Sequence, residues 1–360
     1  MKLPKAKVTK TEYYKPGLSI FKKKKVKIKL SANECALGPS PKAIREYING
    51  SKTFIRYPDS EGILLRKSLA KKFNLDFDRI ILGAGSDQIL EFVCKSFLNK
   101  NDEVIIPEYS FIVYRIYSKI NNAKVVFVKE KKFSVSVKNI LSKVTKKTKI
   151  VFLANPNNPT GTYINKNDLI TLRKKLRSDI LLVVDDAYCE YINSKNYISG
   201  LKLFSKSKNV LVTRTFSKIY GLAGLRIGWG YSSKSIIKSL KQIKPPFNVS
   251  RPALLTAVTA LKDNKWIKKE IKHVNKWRKI LFKSFKEMKI EVNEGSANFL
   301  LINFDRVKIN SSKVFIKLAN AGILVRNMNN YGIKNSLRVT IGKAQENKKF
   351  TFKLRKIINV

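Results

Sequence analysis

The chain has 360 residues, enough for one large or two ordinary domains with a real core, and carries a formal net charge of +49 from 74 Lys+Arg against 25 Asp+Glu. The lysines are spread along its whole length, the densest run (Lys22 to Lys25) is short, and no DNA- or RNA-binding motif accompanies it, so the charge reads as a solvated surface and specific nucleic-acid binding is not expected. No apolar run approaches the ~18 residues of a membrane helix, the three scattered cysteines and the lone His273 exclude a disulfide framework and a multi-histidine metal site, and Met1-Lys2-Leu3-Pro4-Lys5 lacks a signal-peptide core, so a cytoplasmic location is expected.

Residues 1–40 read as an N-terminal arm that partly joins a C-terminal domain. It holds a turn at Tyr13-Tyr14-Lys15-Pro16-Gly17 and a short half-exposed strand at 26–30. Ser40 is placed to cap a helix that has Pro41 at its first position. An amphipathic helix spans Ile63–Phe73. Apolar strands then recur at 79–82, 103–106, 124–128, 149–153, 180–184 and 210–212, alternating with helical segments. That rhythm predicts an α/β fold with a mostly parallel, doubly wound sheet over residues 41–245. Lys244-Pro245-Pro246-Phe247-Asn248 is a break, a long helix follows at 263–288, and residues 246–360 read as a smaller α+β domain.

In such a sheet ligands sit at the carboxyl ends of the strands. Here those ends carry Ser86 and Asp87, Tyr109, Asn158, Asp185 and Lys218. Gly85-Ser86-Asp87 opens a helix whose free N–H groups suit a phosphate. Thr213, Thr215 and Ser217 lead into Lys218, followed by a Gly-rich turn and Arg226. Hydroxyls and an arginine around one lysine suit a Schiff-base lysine serving a phosphorylated aldehyde cofactor; taken alone, Lys218 reads more readily as one more surface lysine, and the other strand ends reverse that balance. Asp185 closes an apolar run and needs a partner, which a protonated ring nitrogen or an ordinary helix cap would supply. Tyr188 could donate to a phenolate-like oxygen or belong to the core. Asn158 could bind the same oxygen or serve its turn, and Tyr109 could lie on an aromatic ring or pack inward.

Together, Gly-Ser-Asp at 85–87, Tyr109, Asn155-Pro156-Asn157-Asn158-Pro159-Thr160-Gly161, Asp185-Asp186-Ala187-Tyr188, Ser217-Lys218 with Leu222-Ala223-Gly224-Leu225-Arg226, and Leu337-Arg338-Val339-Thr340-Ile341-Gly342 resemble the fold type I aminotransferases that use pyridoxal 5'-phosphate. The resemblance covers nearly the whole chain. Within that family, Tyr14-Lys15-Pro16-Gly17, Leu30-Ser31-Ala32-Asn33-Glu34, Arg56-Tyr57-Pro58, and Gly322-Ile323-Leu324-Val325-Arg326 leading into Tyr331-Gly332 and Arg338, are most similar to the histidinol-phosphate group.

The resemblance implies that Lys218 holds the cofactor and then shuttles the substrate proton. It implies that Asp185 pairs with the pyridine nitrogen, Asn158 and Tyr188 bind the ring hydroxyl, and Tyr109 stacks on the ring. Ser86, Asp87, Thr215, Ser217 and Arg226 would hold the phosphate. Arg338 would grip a substrate carboxylate and Arg326 a substrate phosphate, while Tyr57 would reach the site across a homodimer interface. The partners implied are an amino donor and a 2-oxo acid, histidinol phosphate with 2-oxoglutarate, in histidine biosynthesis. Aromatic, dual-specificity and threonine-phosphate-decarboxylating relatives share the framework. The chain departs from the family pattern at Cys35-Ala36, where Asn-Pro is usual, and at Asn327, where proline is frequent.

Overall fold

A computed structural model describes residues 12–359 apart from 15, 19, 22 and 23. Lys15 of the expected turn, Lys22 and Lys23 of the lysine run, and residues 1–11 of the arm lie outside the described residues.

Three two-residue strands open the described chain: β1 (Ile20–Phe21), β2 (Lys24–Lys25) and β3 (Ile28–Lys29). Helix α1 (Pro41–Ser51) starts where Ser40 accepts from the Ala43 N–H at 3.2 Å, and α2 (Ile63–Phe73) has the bounds its apolar spacing predicts. The alternating region then runs β4 (Ile80–Gly83), α3 (Ser86–Phe97), β5 (Glu103–Pro107), α4 (Val113–Ile120), β6 (Lys124–Val128), α5 (Val137–Leu141), β7 (Thr148–Ala154), α6 (Lys166–Lys175), β8 (Leu181–Asp185), α7 (Gly200–Phe204) and β9 (Val210–Thr215). It closes with β10 (Gly228–Tyr231) and α8 (Lys234–Gln242). The remainder comprises α9 (Arg251–Lys262), α10 (Asn264–Glu287), β11 (Glu291–Val292), β12 (Phe299–Asn303), α11 (Ser311–Asn320), β13 (Ile323–Leu324), β14 (Arg326–Asn327), β15 (Ser336–Thr340) and α12 (Ala344–Ile358).

The large sheet has seven strands in the order β4-β10-β9-β8-β7-β5-β6. All neighbouring pairs are parallel except those of β10, which runs antiparallel to both β4 and β9. Strands β7, β8 and β9 are nearly or wholly buried, as unbroken apolar runs require when helices cover both faces. The C-terminal sheet is antiparallel, β11-β12-β15-β14.

Segment β3 pairs in parallel with β13, and Leu30 bridges onward by donating to Leu324 O and accepting from Thr340 N. The arm is thereby stitched to elements some 300 residues away in sequence. The expected division after residue 245 falls between α8 and α9. Helix α9 packs on α1 and α2, which lie in the stretch read as the large domain. One apolar cluster runs from Leu65 and Val184 through Tyr188 and Phe216 to Phe299, Val339 and Leu354, so both sheets share a core.

Candidate active site

A cavity of about 340 Å³ opens at the carboxyl ends of β8 and β9, roofed by the segment 29–33 and by β14 and β15. Ser86, Asp87, Asn158, Asp185, Tyr188, Thr215, Ser217, Lys218, Arg226, Arg326 and Arg338 all line it. The convergence follows from topology: parallel strands side by side end at one edge, and the residue after each apolar run turns into the same space.

Lys218 Nζ donates to Ala32 O at 3.2 Å. Burial lowers the pKa of its amine, and the neighbouring Arg338 cation lowers it further, to about 8. Asp185 is 5 % exposed and fully engaged: Oδ2 accepts from Tyr114 OH at 2.9 Å, and Oδ1 accepts from Thr213 Oγ1 at 3.1 Å and from Ala187 N at 3.2 Å. Burial pushes its carboxyl up to about 6, against the pull of the Tyr114 and Thr213 hydroxyls. A carboxylate held this way, at the floor of a cavity, is stabilised in its charged form by any cation brought against it.

On the opposite wall Arg226 Nη1 donates to Ser217 Oγ at 3.2 Å, and Nη2 lies 3.3 Å from Asp87 Oδ2. Helix α3 begins beside it with no side-chain cap among the described residues, and its first N–H groups have no partner within the helix. Gly85 has φ +83°, and a Cβ there would come within 2.3 Å of Arg226 Nη2. The positive φ favours glycine there, and backbone, hydroxyls and guanidinium form a cradle that fits a phosphate monoester.

Arg338 is 5 % exposed, donates to Asn158 Oδ1 and, at 3.1 Å, to Ser31 O, and lies over the Phe299 ring. Arg326 is half-buried near Arg338 and the phenols of Tyr14 and Tyr331, and burial lowers its pKa. Two cations thus face one cavity from adjacent strands, paired Arg326 to Arg338 in register.

One expected residue lies elsewhere. Tyr109 does not line the cavity; its ring packs on Phe133 at 5.4 Å, and Phe111 and Tyr114 face the space instead. The chain turns once more after β5 before entering α4, so the inward aromatic comes two residues later than the strand end suggests. Tyr57 is 78 % exposed and stacks on Phe247 at 4.6 Å, outside the cavity of its own chain. Residues missed from sequence are Phe111, Tyr114, Tyr14, Tyr331 and Asn33. Tyr14, Asn33 and Tyr331 lay inside recognised motifs; Phe111 and Tyr114 carried no local signal. His273 hydrogen-bonds Gly342 O at 2.9 Å and does not line the cavity. Among the described residues no cluster of His, Cys, Asp or Glu could hold a metal ion, and no helix is long and apolar enough to cross a membrane.

The family described as Aminotransferase class I and II matches residues 25–354. The chain belongs to that family. This aminotransferase is 52 % identical to the histidinol-phosphate aminotransferase of Pelagibacter ubique (strain HTCC1062) over 100 % of both chains. It is 40 % identical to that of Rhodopseudomonas palustris (strain BisB18), over 94 % of this chain and 91 % of the other. Among solved structures it resembles the histidinol-phosphate aminotransferase of Clostridium acetobutylicum (TM-score 0.85, 26 % identity, 92 % and 99 % of the two chains). In fold it also matches the Sinorhizobium meliloti histidinol-phosphate aminotransferase in complex with pyridoxal-5'-phosphate (TM-score 0.87, 22 % identity, 93 % and 91 %).

Proposed function

We propose that this aminotransferase uses pyridoxal 5'-phosphate to move the amino group of histidinol phosphate to a 2-oxo acid, 2-oxoglutarate. The observation that carries the substrate reading is the pair Arg338 and Arg326, two arginines on neighbouring strands above a lysine of lowered pKa. The 2-oxo acid brings a carboxylate to Arg338, and histidinol phosphate brings a phosphate to Arg326. The phenols of Tyr14 and Tyr331 beside Arg326 suit a polar group better than an apolar ring.

Bound pyridoxal phosphate supplies an aldehyde that takes amines covalently and a ring that withdraws electrons. The cradle of Ser86, the Asp87 backbone, Thr215, Ser217 and Arg226 holds the phosphate. Asp185, ionised against a ring nitrogen, keeps that nitrogen protonated, and Tyr114 and Thr213 fix the carboxylate's direction. Asn158 and Tyr188 orient the ring hydroxyl, with Phe111 as the aromatic in place of Tyr109. Lys218, neutral in a sizeable fraction near pH 8, is both nucleophile and proton carrier at the substrate carbon.

The protein acts as a homodimer in this reading, with Tyr57 delivered to the partner's cavity. In support, Ile48, Phe54, Ile55, Tyr57, Ile63 and Leu64 form an exposed apolar stretch on a chain otherwise studded with lysine. The test is single-turnover absorbance of holoprotein mixed with histidinol phosphate or with phenylalanine. Faster spectral conversion with histidinol phosphate supports the assignment. Equal or faster conversion with phenylalanine moves the enzyme to an aromatic or dual specificity.

A further inference from the structure

Asn33 is 1 % exposed and sits in the left-handed region at φ +54°, which asparagine tolerates better than most residues. Its Nδ2 donates to the Tyr188 hydroxyl at 3.0 Å. Its Oδ1 accepts from Thr340 Oγ1 at 3.2 Å, and Thr340 Oγ1 accepts in turn from Asn33 N at 2.9 Å. The Thr340 hydroxyl therefore receives from the backbone and gives to the amide oxygen, which settles which way the amide points. Asn298 Nδ2 holds the same segment from another side, donating to Asn33 O at 3.1 Å and Glu34 O at 3.2 Å.

A phenol has one proton to give. Because the Asn33 amide occupies a lone pair on the Tyr188 oxygen, the phenolic proton is left for an acceptor in the cavity that Tyr188 lines. Burial pushes the Tyr188 phenol up to about 12, while Arg338 and then the Asn33 bond pull it back, so the phenol stays a neutral donor.

We propose that Asn33 is a positioning residue that makes Tyr188 a hydrogen-bond donor to the ring oxygen of the bound cofactor, with Thr340 fixing the amide. The inference rests on the cofactor reading above and adds a relay from strand β15 through the arm to the cofactor ring. A donor at that oxygen favours its anionic form, so removing the donor raises the pH at which the bound chromophore titrates.

The test is the absorbance titration of purified holoprotein from pH 5 to 10. Asn33→Asp keeps size and backbone but turns the donor into an acceptor, which captures the Tyr188 proton. The chromophore pKa rises by about one unit or more, and the same substitution in a Tyr188→Phe background moves it much less. Asn33→Gly, which suits the positive φ and adds no charge, shifts it in the same direction and again only when Tyr188 is present. It also stands in if the aspartate variant does not fold. Equal shifts with and without Tyr188, or no shift in either, overturn the assignment. A parent protein that binds no pyridoxal phosphate, and so has no band to titrate, overturns the cofactor reading and this inference with it.

Discussion

An amine adds to an aldehyde only in its neutral form, and burial beside Arg338 lowers the Lys218 amine to about 8. The neutral fraction grows as pH rises through 8, so capture of pyridoxal phosphate by the apoprotein accelerates from pH 7 to 9 and then levels. A lysine at its ordinary value near 10.4 would still be accelerating there. Arg338→Gln removes the second cause of the shift and moves the inflection to higher pH. Lys218→Ala lowers turnover by about 10³-fold or more while phosphate binding persists, as steady-state rates and equilibrium dialysis would show. For the aromatic wall, Phe111→Ala weakens cofactor retention by up to about tenfold, the worth of one ring contact, and Tyr109→Ala leaves it unchanged. Lys218, Asp185 and Arg226 were legible because each follows an apolar strand or a Gly-rich turn. Phe111 was not, because a strand end does not reveal which aromatic of the Tyr109-Ser110-Phe111 loop turns inward. Asn33 was not either, because the value of an asparagine at positive φ depends on Thr340, which lies far off in sequence.

The segment 31–38 behaves as an element although it is neither helix nor strand. Ser31 O, Ala32 O, Asn33 and Gly38 O are all held by distant side chains. Its departure from the family pattern has a structural use: Ala36, unlike proline, has an N–H, which donates to Glu270 Oε1 at 3.0 Å, and Leu37 N donates to Oε2 at 3.1 Å. Glu270 is fully buried on α10. Glu270→Ala leaves two amides without their acceptor and destabilises the protein by about 2–4 kcal/mol, read as a lower Tm in thermal melts of the apoprotein. Helices such as α2 were readable at both ends. Strand β10 was not, because Gly228-Trp229-Gly230 reads as part of a turn. Gly228 is there for close approach, since a Cβ would lie 2.3 Å from Ser86 N, and the strand it belongs to is entirely buried. Local periodicity does not carry that information.

Across the whole molecule, a net charge of +49 sets like charges against each other. Raising NaCl from 20 to 300 mM shortens the screening length from roughly 20 Å to under 8 Å and should raise Tm. A Tm that falls with salt would mean that local ion pairs outweigh the general repulsion. If Tyr57 serves the partner's cavity, mixing inactive Tyr57→Ala and Lys218→Ala chains under exchange conditions restores part of the activity, because mixed dimers carry one intact site. No recovery would confine Tyr57 to its own chain. The layered α/β plan was visible in the sequence, whereas the stitching of arm to C-terminal sheet was not, since pairing between segments so far apart leaves no local trace. That stitching also has a timetable. Asn33 and Thr340 are 307 residues apart, and at about 5–20 residues per second a ribosome needs roughly 15–60 s to deliver the second after the first. From the moment Lys218 is made until Thr340 follows, the nascent chain has its lysine strand but not yet both β14 and β15 to cover it. The cavity is therefore finished only as synthesis ends, and a ribosome stalled before residue 336 holds a chain that has neither β15 nor a closed site.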